Sequence, residues 1–173
     1  MPQANVTLRD FFLAKLDREV ILVRKAIERV PDGRNDYKPH ERSMELGYLA
    51  ALVAGMLGWI ALMIDRDELD LNDPSSQGFR TRPLANKAEL LASLENGAAS
   101  ARRALESTTD EHLHRPWAFK MNGNPIQQQP REVMIADAVF SHLAHHRGQL
   151  TVYLRMVSST VPALYGPSAD EHF

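Results

Sequence analysis

The sequence predicts an all-α fold, a four-helix bundle with long connections, on three observations. Four segments of roughly twenty residues or more either repeat apolar side chains at steps of three and four or are apolar nearly all round, the patterns of amphipathic and of buried helices. Strand signal is confined to one short region, where a small β-hairpin is expected near 117–129. At 173 residues, 44% hydrophobic and 24% charged, the chain can bury one substantial core. Residues 1–173 are therefore expected to form a single domain that needs neither disulfides nor a structural metal.

The first helix is expected over residues 7–30. Thr7 is its N-cap, and Asp10 three residues on forms a pair like a capping box, which satisfies N–H groups that a first turn leaves free. Phe12, Leu16, Val20, Val23, Ile27 and Val30 then line one face, and Pro31 to Gly33 end the helix. The second helix, 44–64, is apolar almost all round, with Ser43 as N-cap. Such a segment is buried deeply or covered by a second chain.

Residues 65–83 mix acids, Asn, Pro, Ser and Gly and read as a long connection. Its acids look calcium-like, but an EF-hand loop needs an oxygen ligand at its fifth position and Gly at its sixth, where this chain has Leu69 and Asp70. The loop therefore reads as solvated. The third helix, 85–106, has Leu84, Leu91, Ala98 and Leu105 at seven-residue steps, with Leu94 and Ala101 between. Small residues there permit close helix approach, and Gly97, about 1 kcal/mol worse than Ala in a helix, needs neighbouring contacts to hold it. Two short extended runs flank Asn122-Gly123, a turn-forming dipeptide, and predict the hairpin. Pro130 opens the fourth helix in its first turn, where a missing N–H costs nothing, and the helix continues to 158.

Composition narrows the function. Lys plus Arg number 20 against 22 Asp plus Glu, a net charge of −2. That lacks the basic excess which draws a chain to phosphate backbones, so no nucleic-acid partner is expected. The opening residues have no cationic start followed by an apolar stretch. No later segment is read as reaching the roughly 18 uncharged apolar residues of a membrane span, so a cytoplasmic protein without a membrane partner is expected. Cysteine is absent, which excludes disulfides, thiolate ligands and a protein sulfur nucleophile; any thiol chemistry needs an external thiol. A Gly-rich phosphate loop, a G-x-S-x-G elbow and HExxH are also missing, which leaves nucleotide-dependent and serine-hydrolase mechanisms without support.

The fourth helix holds the most informative stretch, SHLAHHRGQL at 141–150. Its core stripe reads Ile135, Val139, His142, His146, Gln149 or Leu150, Tyr153 and Val157, so His142 and His146 stand in line with apolar residues, one turn apart. Two imidazoles on adjacent turns can converge on one divalent ion, zinc, nickel, iron or manganese. A structural reading stands beside it, because buried histidines are also satisfied by a backbone carbonyl or a Tyr hydroxyl. His145 points about a quarter-turn away and reads as a supporting, dimer-facing or surface residue.

HLAHHRGQLTVYLR followed by VPALYGPSADE resembles the signature of the DinB family, the DinB/YfiT-like metalloenzymes, and YKPHERSMELGYLAALVAGMLGW resembles the start of that family's second helix. The similarity spans 36–171. It implies a DinB/YfiT-type four-helix bundle, usually a homodimer, with a three-histidine site for a divalent ion. His142 and His146 match the two ligands of the last helix. The third is normally a histidine in a second-helix pattern like LAxHVAELPGW; here Leu52 takes its place, and Gly55 replaces an acid common in the pattern. The ion is then absent, held weakly by His142 and His146 with waters, or completed by another group. His40 and Met56 are poor substitutes, Met56 reading as core, and His112 and His114 have no geometric claim on the site.

Two functions follow as expectations. One is a divalent-metal-dependent hydrolase, or a transferase using an external low-molecular-weight thiol, acting through a weakened His142/His146 site. The other is a metal-free dimeric bundle that binds a small apolar ligand or a protein partner. Trp59 and Trp117 read as core rather than cleft, Arg147 and Gln149 as braces from the last helix to neighbouring loops, and Tyr165 as packing the tail against the helices, with no catalytic part.

Overall fold

In the computed structural model, which describes residues 6–172, Thr7 Oγ1 accepts a hydrogen bond from the Asp10 N–H at 3.1 Å and starts α1, Leu8–Glu28. Residues 1–5 and 173 of the expected domain lie outside the described residues. The N–H groups of Leu8 and Arg9 donate to the Asp110 carboxylate at 3.0 and 3.2 Å, an anion brought to the positive end of the helix dipole from far along the chain. α1 buries Phe12, Leu16, Val23 and Ile27 as their spacing predicts, and with them Glu19.

The apolar second segment is helical in two pieces, α2, Leu46–Gly55, and α3, Trp59–Asp65, joined by a 3-10 turn at Met56–Gly58. Glu45 rather than Ser43 occupies the N-cap, without a side-chain cap bond. By length and composition Leu46–Asp65 is enough to cross a membrane, which corrects the expectation that no segment reaches that length. Yet 72% of its window is buried inside the protein. Leu49, Val53, Met56, Leu57 and Ile60 are fully buried, each contributing about 1.5–3 kcal/mol relative to exposure.

α4, Lys87–Ser107, begins at Asn86, whose side chain accepts from the Glu89 N–H. It buries Leu90, Leu94, Ala101, Ala104 and Leu105, while Leu91 and Ala98 of the seven-residue row are only half-buried. A straight helix drifts away from a strict heptad, so its core face slants across that row. Gly97 meets Gly58: a Cβ on Gly97 would lie 3.2 Å from the Gly58 nitrogen, and one on Gly58 3.3 Å from the Gly97 Cα. The two backbones touch, and this contact supports the residue that helix propensity disfavours.

Three strands correct the all-α expectation. β1, Glu68–Asp70, lies in the segment read as a connection; β2, Pro116–Met121, and β3, Asn124–Pro130, follow the short helix α5, Asp110–Leu113. The order is β1-β2-β3, with β1 parallel to β2 and β3 antiparallel to it. β2 and β3 are the expected hairpin. Asn122 and Gly123 take φ of 53° and 77°, the two positive values a type I′ turn requires. The Asp70 carboxylate accepts N–H groups of Asn72 at 2.9 Å, Asn122 at 3.1 Å and Gly123. It thus fastens β1 to the hairpin turn instead of merely facing solvent, and these donors, Asn72 foremost, hold its carboxyl below the usual carboxylate range.

The last long segment comprises α6, Arg131–Met134, a π-helical stretch at Ile135–Ser141, and α7, His142–Met156. Pro130 is the N-cap, one place before the first turn. Arg131, 1% exposed, joins this segment to the sheet. Its Nε donates to the Met63 carbonyl at 2.9 Å, Nη1 to Pro116 and Arg115 carbonyls at 3.1 and 3.4 Å, and Nη2 to the Arg66 carbonyl at 3.2 Å and the Asp67 carboxylate. All the N–H groups of a guanidinium are thereby matched, two of them by carbonyls at the free C-terminal end of α3. The other buried cation among the described residues is Arg147, on α7. Its Nη1 donates to Glu19 Oε2 at 2.6 Å and its Nη2 to the Tyr165 hydroxyl, which donates to Glu19 Oε1 at 3.0 Å. Tyr165 does pin the tail to the helices, through a ring of hydrogen bonds linking α1, α7 and the C-terminal segment.

Candidate functional site

The π-helical stretch ends at the residue before His142. Its wider turn alters the phase of the helix: Val139 and Phe140 are both buried before it ends, and Leu143, His146, Arg147 and Leu150 after. His146 is accordingly in the core at 9% exposure, whereas His142 lies half-buried at the core's edge rather than squarely in line.

The structure brings the two rings together. Their Nε2 atoms are 2.8 Å apart, and His146 Nδ1 is 2.7 Å from Gln149 Oε1. An amide oxygen only accepts, so it assigns the His146 proton to Nδ1 and leaves the Nε2 lone pair turned towards His142. His142 then donates its Nε2 proton to that lone pair. Burial, above all, lowers the pKa of His146 from its ordinary value; the nearby His142 and His145 lower it further, and the Gln149 bond opposes them. The ring is neutral at pH 7, the form that ligates metals.

Gln149 therefore braces a histidine on its own helix rather than a loop, a partner three residues away that helical spacing could have revealed. His145 is exposed, its ring centroid 5.0 Å from that of His146. His112 Nε2 pairs with the Ile64 carbonyl at 3.0 Å, His114 with Glu132 at 2.9 Å, and His40 Nδ1 accepts from the Arg42 N–H at 3.2 Å, so each has a local structural partner. Leu52 is buried in α2, which packs against α7. Met56 is fully buried, as its reading as core requires.

His142 opens onto a cavity of about 610 Å³. Trp59, Phe79, Trp117 and Phe119 form much of its wall, and Gln127, Asp137 and Ser141 are its other polar lining residues. The indole of Trp59 lies against the imidazole of His142, centroids 6.0 Å apart. Both tryptophans thus face a cleft as well as the core. Trp59 and Phe79 also border a second cleft of about 530 Å³, with Gly55, Arg82 and Ser93 on its wall. Asp137 escapes the sequence reading because it lies on the exposed side of the helix, and only the fold brings the cavity up to it.

Do these residues suit a divalent ion? With bonds of about 2.1 Å, a tetrahedral ion sets its ligand atoms roughly 3.4 Å apart and an octahedral one roughly 3.0 Å. The observed 2.8 Å is close to the second. The pair fits as two adjacent imidazole ligands once His142 moves its proton to Nδ1. Among the described residues no group of three His, Cys, Asp or Glu side chains gathers around a common point.

A family model described as the DinB family matches residues 1–172. The chain is 24% identical over 163 residues to the uncharacterized protein YrdA of Bacillus subtilis (strain 168), covering 94% of this chain and 90% of that relative. A crystal structure of a DinB-like protein from Bacillus cereus ATCC 10987 is similar with a TM-score of 0.70 and 19% identity, over 94% of this chain and 100% of that one. That of the DinB-like protein YjoA from Bacillus subtilis gives 0.64 and 19%, over 88% and 95%. At such identities the likeness shows a shared fold.

Proposed function

This chain belongs to the DinB family, and on that premise we propose that it is a divalent-metal-dependent hydrolase or thiol transferase whose ion is held by His142 and His146, with solvent completing the shell. In this reading α1, α2 with α3, α4, and α6 with α7 make the family's four-helix bundle, paired as a homodimer. The observation that carries it is the approach of the two Nε2 atoms to 2.8 Å at the wall of a cavity large enough for a reactant.

A divalent ion held by His142 and His146 would lower the pKa of a bound water or thiol and so supply a nucleophile at neutral pH. Gln149 holds the His146 proton on Nδ1, so that Nε2 is free to bind. Trp59 limits the orientations open to the His142 ring. Asp137, an exposed carboxylate on the same cavity wall, would be the group to take up and return a proton in such a reaction. The absence of cysteine is in keeping with a thiol brought from outside.

The second reading is a metal-free bundle that binds a small molecule or a partner protein. It is favoured by the missing third ligand among the described residues and by Leu52 where the family pattern has histidine. Elemental analysis of protein purified without a metal-affinity column separates the two. Stoichiometric metal in wild type that disappears in His142→Ala supports the metalloenzyme. Metal that enters only the Leu52→His variant overturns it in favour of the binding protein.

A further inference from the structure

The cleft of about 530 Å³ that shares Trp59 and Phe79 with the cavity beside His142 is lined by two cations, Arg80 and Arg82, and among the described residues by no Asp or Glu. Arg80 is held by neutral acceptors: its Nη2 donates to the Leu71 carbonyl at 2.7 Å and to Asn72 Oδ1 at 3.5 Å. The carboxylates nearest in sequence are engaged elsewhere, Asp73 by the N–H of Ser75 at 2.7 Å and Glu89 by that of Ala85 at 2.9 Å. Among the described residues neither arginine forms an ion pair. Each guanidinium therefore keeps N–H donors in the planar fork that matches an oxyanion.

The rest of the wall is apolar and short of side chains. Trp59, Phe79, Ala51 and Leu84 supply carbon surface, Gly55 and Gly58 bare backbone, and the volume lies in the range of small-molecule sites. The Arg66 guanidinium lies over the Phe79 ring, 4.6 Å from its centroid, and steadies it. A Cβ on Gly55 would meet, outside its own helix, only Ser93 Oγ at 3.6 Å, so the missing side chain leaves open space with a hydroxyl at its edge. Gly55 has a φ of −89°, which does not require glycine. The opening comes from the side chain it lacks.

We propose that this cleft binds a small molecule with a flat apolar body and one anionic group, a carboxylate or a phosphate, whose oxygens accept from Arg80 and Arg82 while the body lies against Trp59 and Phe79. Both arginines are exposed, so the attraction is one of direct contact and weakens with salt. The site goes beyond both readings above and needs no ion at His142.

Titration calorimetry on the full chain, stripped of metal with EDTA and then dialysed, compares three probes of similar shape: 2-naphthoate, 2-naphthyl phosphate and the neutral 2-naphthamide. At low ionic strength at least one anion is expected to bind about tenfold tighter than the amide, the sum of two exposed charge-assisted contacts, and to lose that advantage as salt is added. The stronger of the two names the anionic group. The advantage should disappear in the double variant Arg80→Gln/Arg82→Gln, whose exposed positions leave folding intact. Gly55→Asp and Gly55→Asn put side chains of one shape into the cleft. The aspartate should abolish the preference for anions, whereas the asparagine should weaken all three probes alike and keep it.

Equal binding of the three probes by wild type, a preference that survives the double arginine variant, or one that Gly55→Asp leaves unchanged overturns the proposal. So does a preference lost in His142→Ala, which would put the anion in the neighbouring cavity. Stoichiometric metal at the histidine pair with no preference for anions sinks this proposal and leaves the metal reading standing.

Discussion

Replacing Glu19 by Ala should cost about 3–5 kcal/mol of stability, the range for a buried ion pair deprived of one partner. Glu19 is 3% exposed and Arg147 1%. The carboxylate accepts from Arg147 at 2.6 Å and from Tyr165 at 3.0 Å, with Lys15 at 3.5 Å. Its removal strands a guanidinium that water cannot reach and frees the tail hydroxyl. Against a typical total of about 5–15 kcal/mol, that is enough to populate unfolded protein. The double variant Glu19→Leu/Arg147→Met removes both charges and should recover most of the loss, since the attraction within a buried pair roughly offsets its own desolvation. Urea unfolding followed by circular dichroism reads both, with an unchanged m-value as the check on two-state behaviour. A loss below about 1 kcal/mol for Glu19→Ala, or a double variant as unstable as the two single losses added together, would refute the argument. Arg147 adjoins His146, so the same substitution should also loosen the histidine pair.

Gly97→Ala should destabilise by about 1 kcal/mol, because the cost of forcing two touching backbones apart exceeds the roughly 1 kcal/mol gained in helix propensity; a raised thermal midpoint would contradict the Gly58 contact. Gln149→Leu should weaken binding of zinc or nickel about 10–100-fold if the pair is a ligand set, by releasing the His146 tautomer, and competition with a chelating dye measures it. His146 has a lowered folded pKa, so the unfolded chain takes up its proton first. Its contribution is complete above the unfolded value of 6.5 and is lost as pH falls through the folded value. The stability advantage of wild type over His146→Asn should therefore shrink between pH 7 and 5, and a constant difference across that window would remove the assigned cause.

What the sequence determined by itself is local. The Thr7 cap, the Asn122-Gly123 turn, the long helical segments and the juxtaposition of His142 with His146 each depend on residues within about one helical turn or one hairpin loop, where spacing alone dictates who meets whom. The family resemblance follows from the same short motifs. Only the tertiary structure decided the rest. Glu19 reads as an ordinary helix residue until Arg147, 128 positions away, arrives beside it. β1 is three residues long, too short for its polar–apolar–polar pattern to mark a strand; it is a strand because β2 offers an edge to pair with. The π stretch moves His142 off the phase that regular spacing assigns, and the cavity exists only where the sheet closes over the helices. Periodicity records which face of an element is apolar. It carries no record of what comes to lie against that face, and the chemistry of this site lies in that meeting.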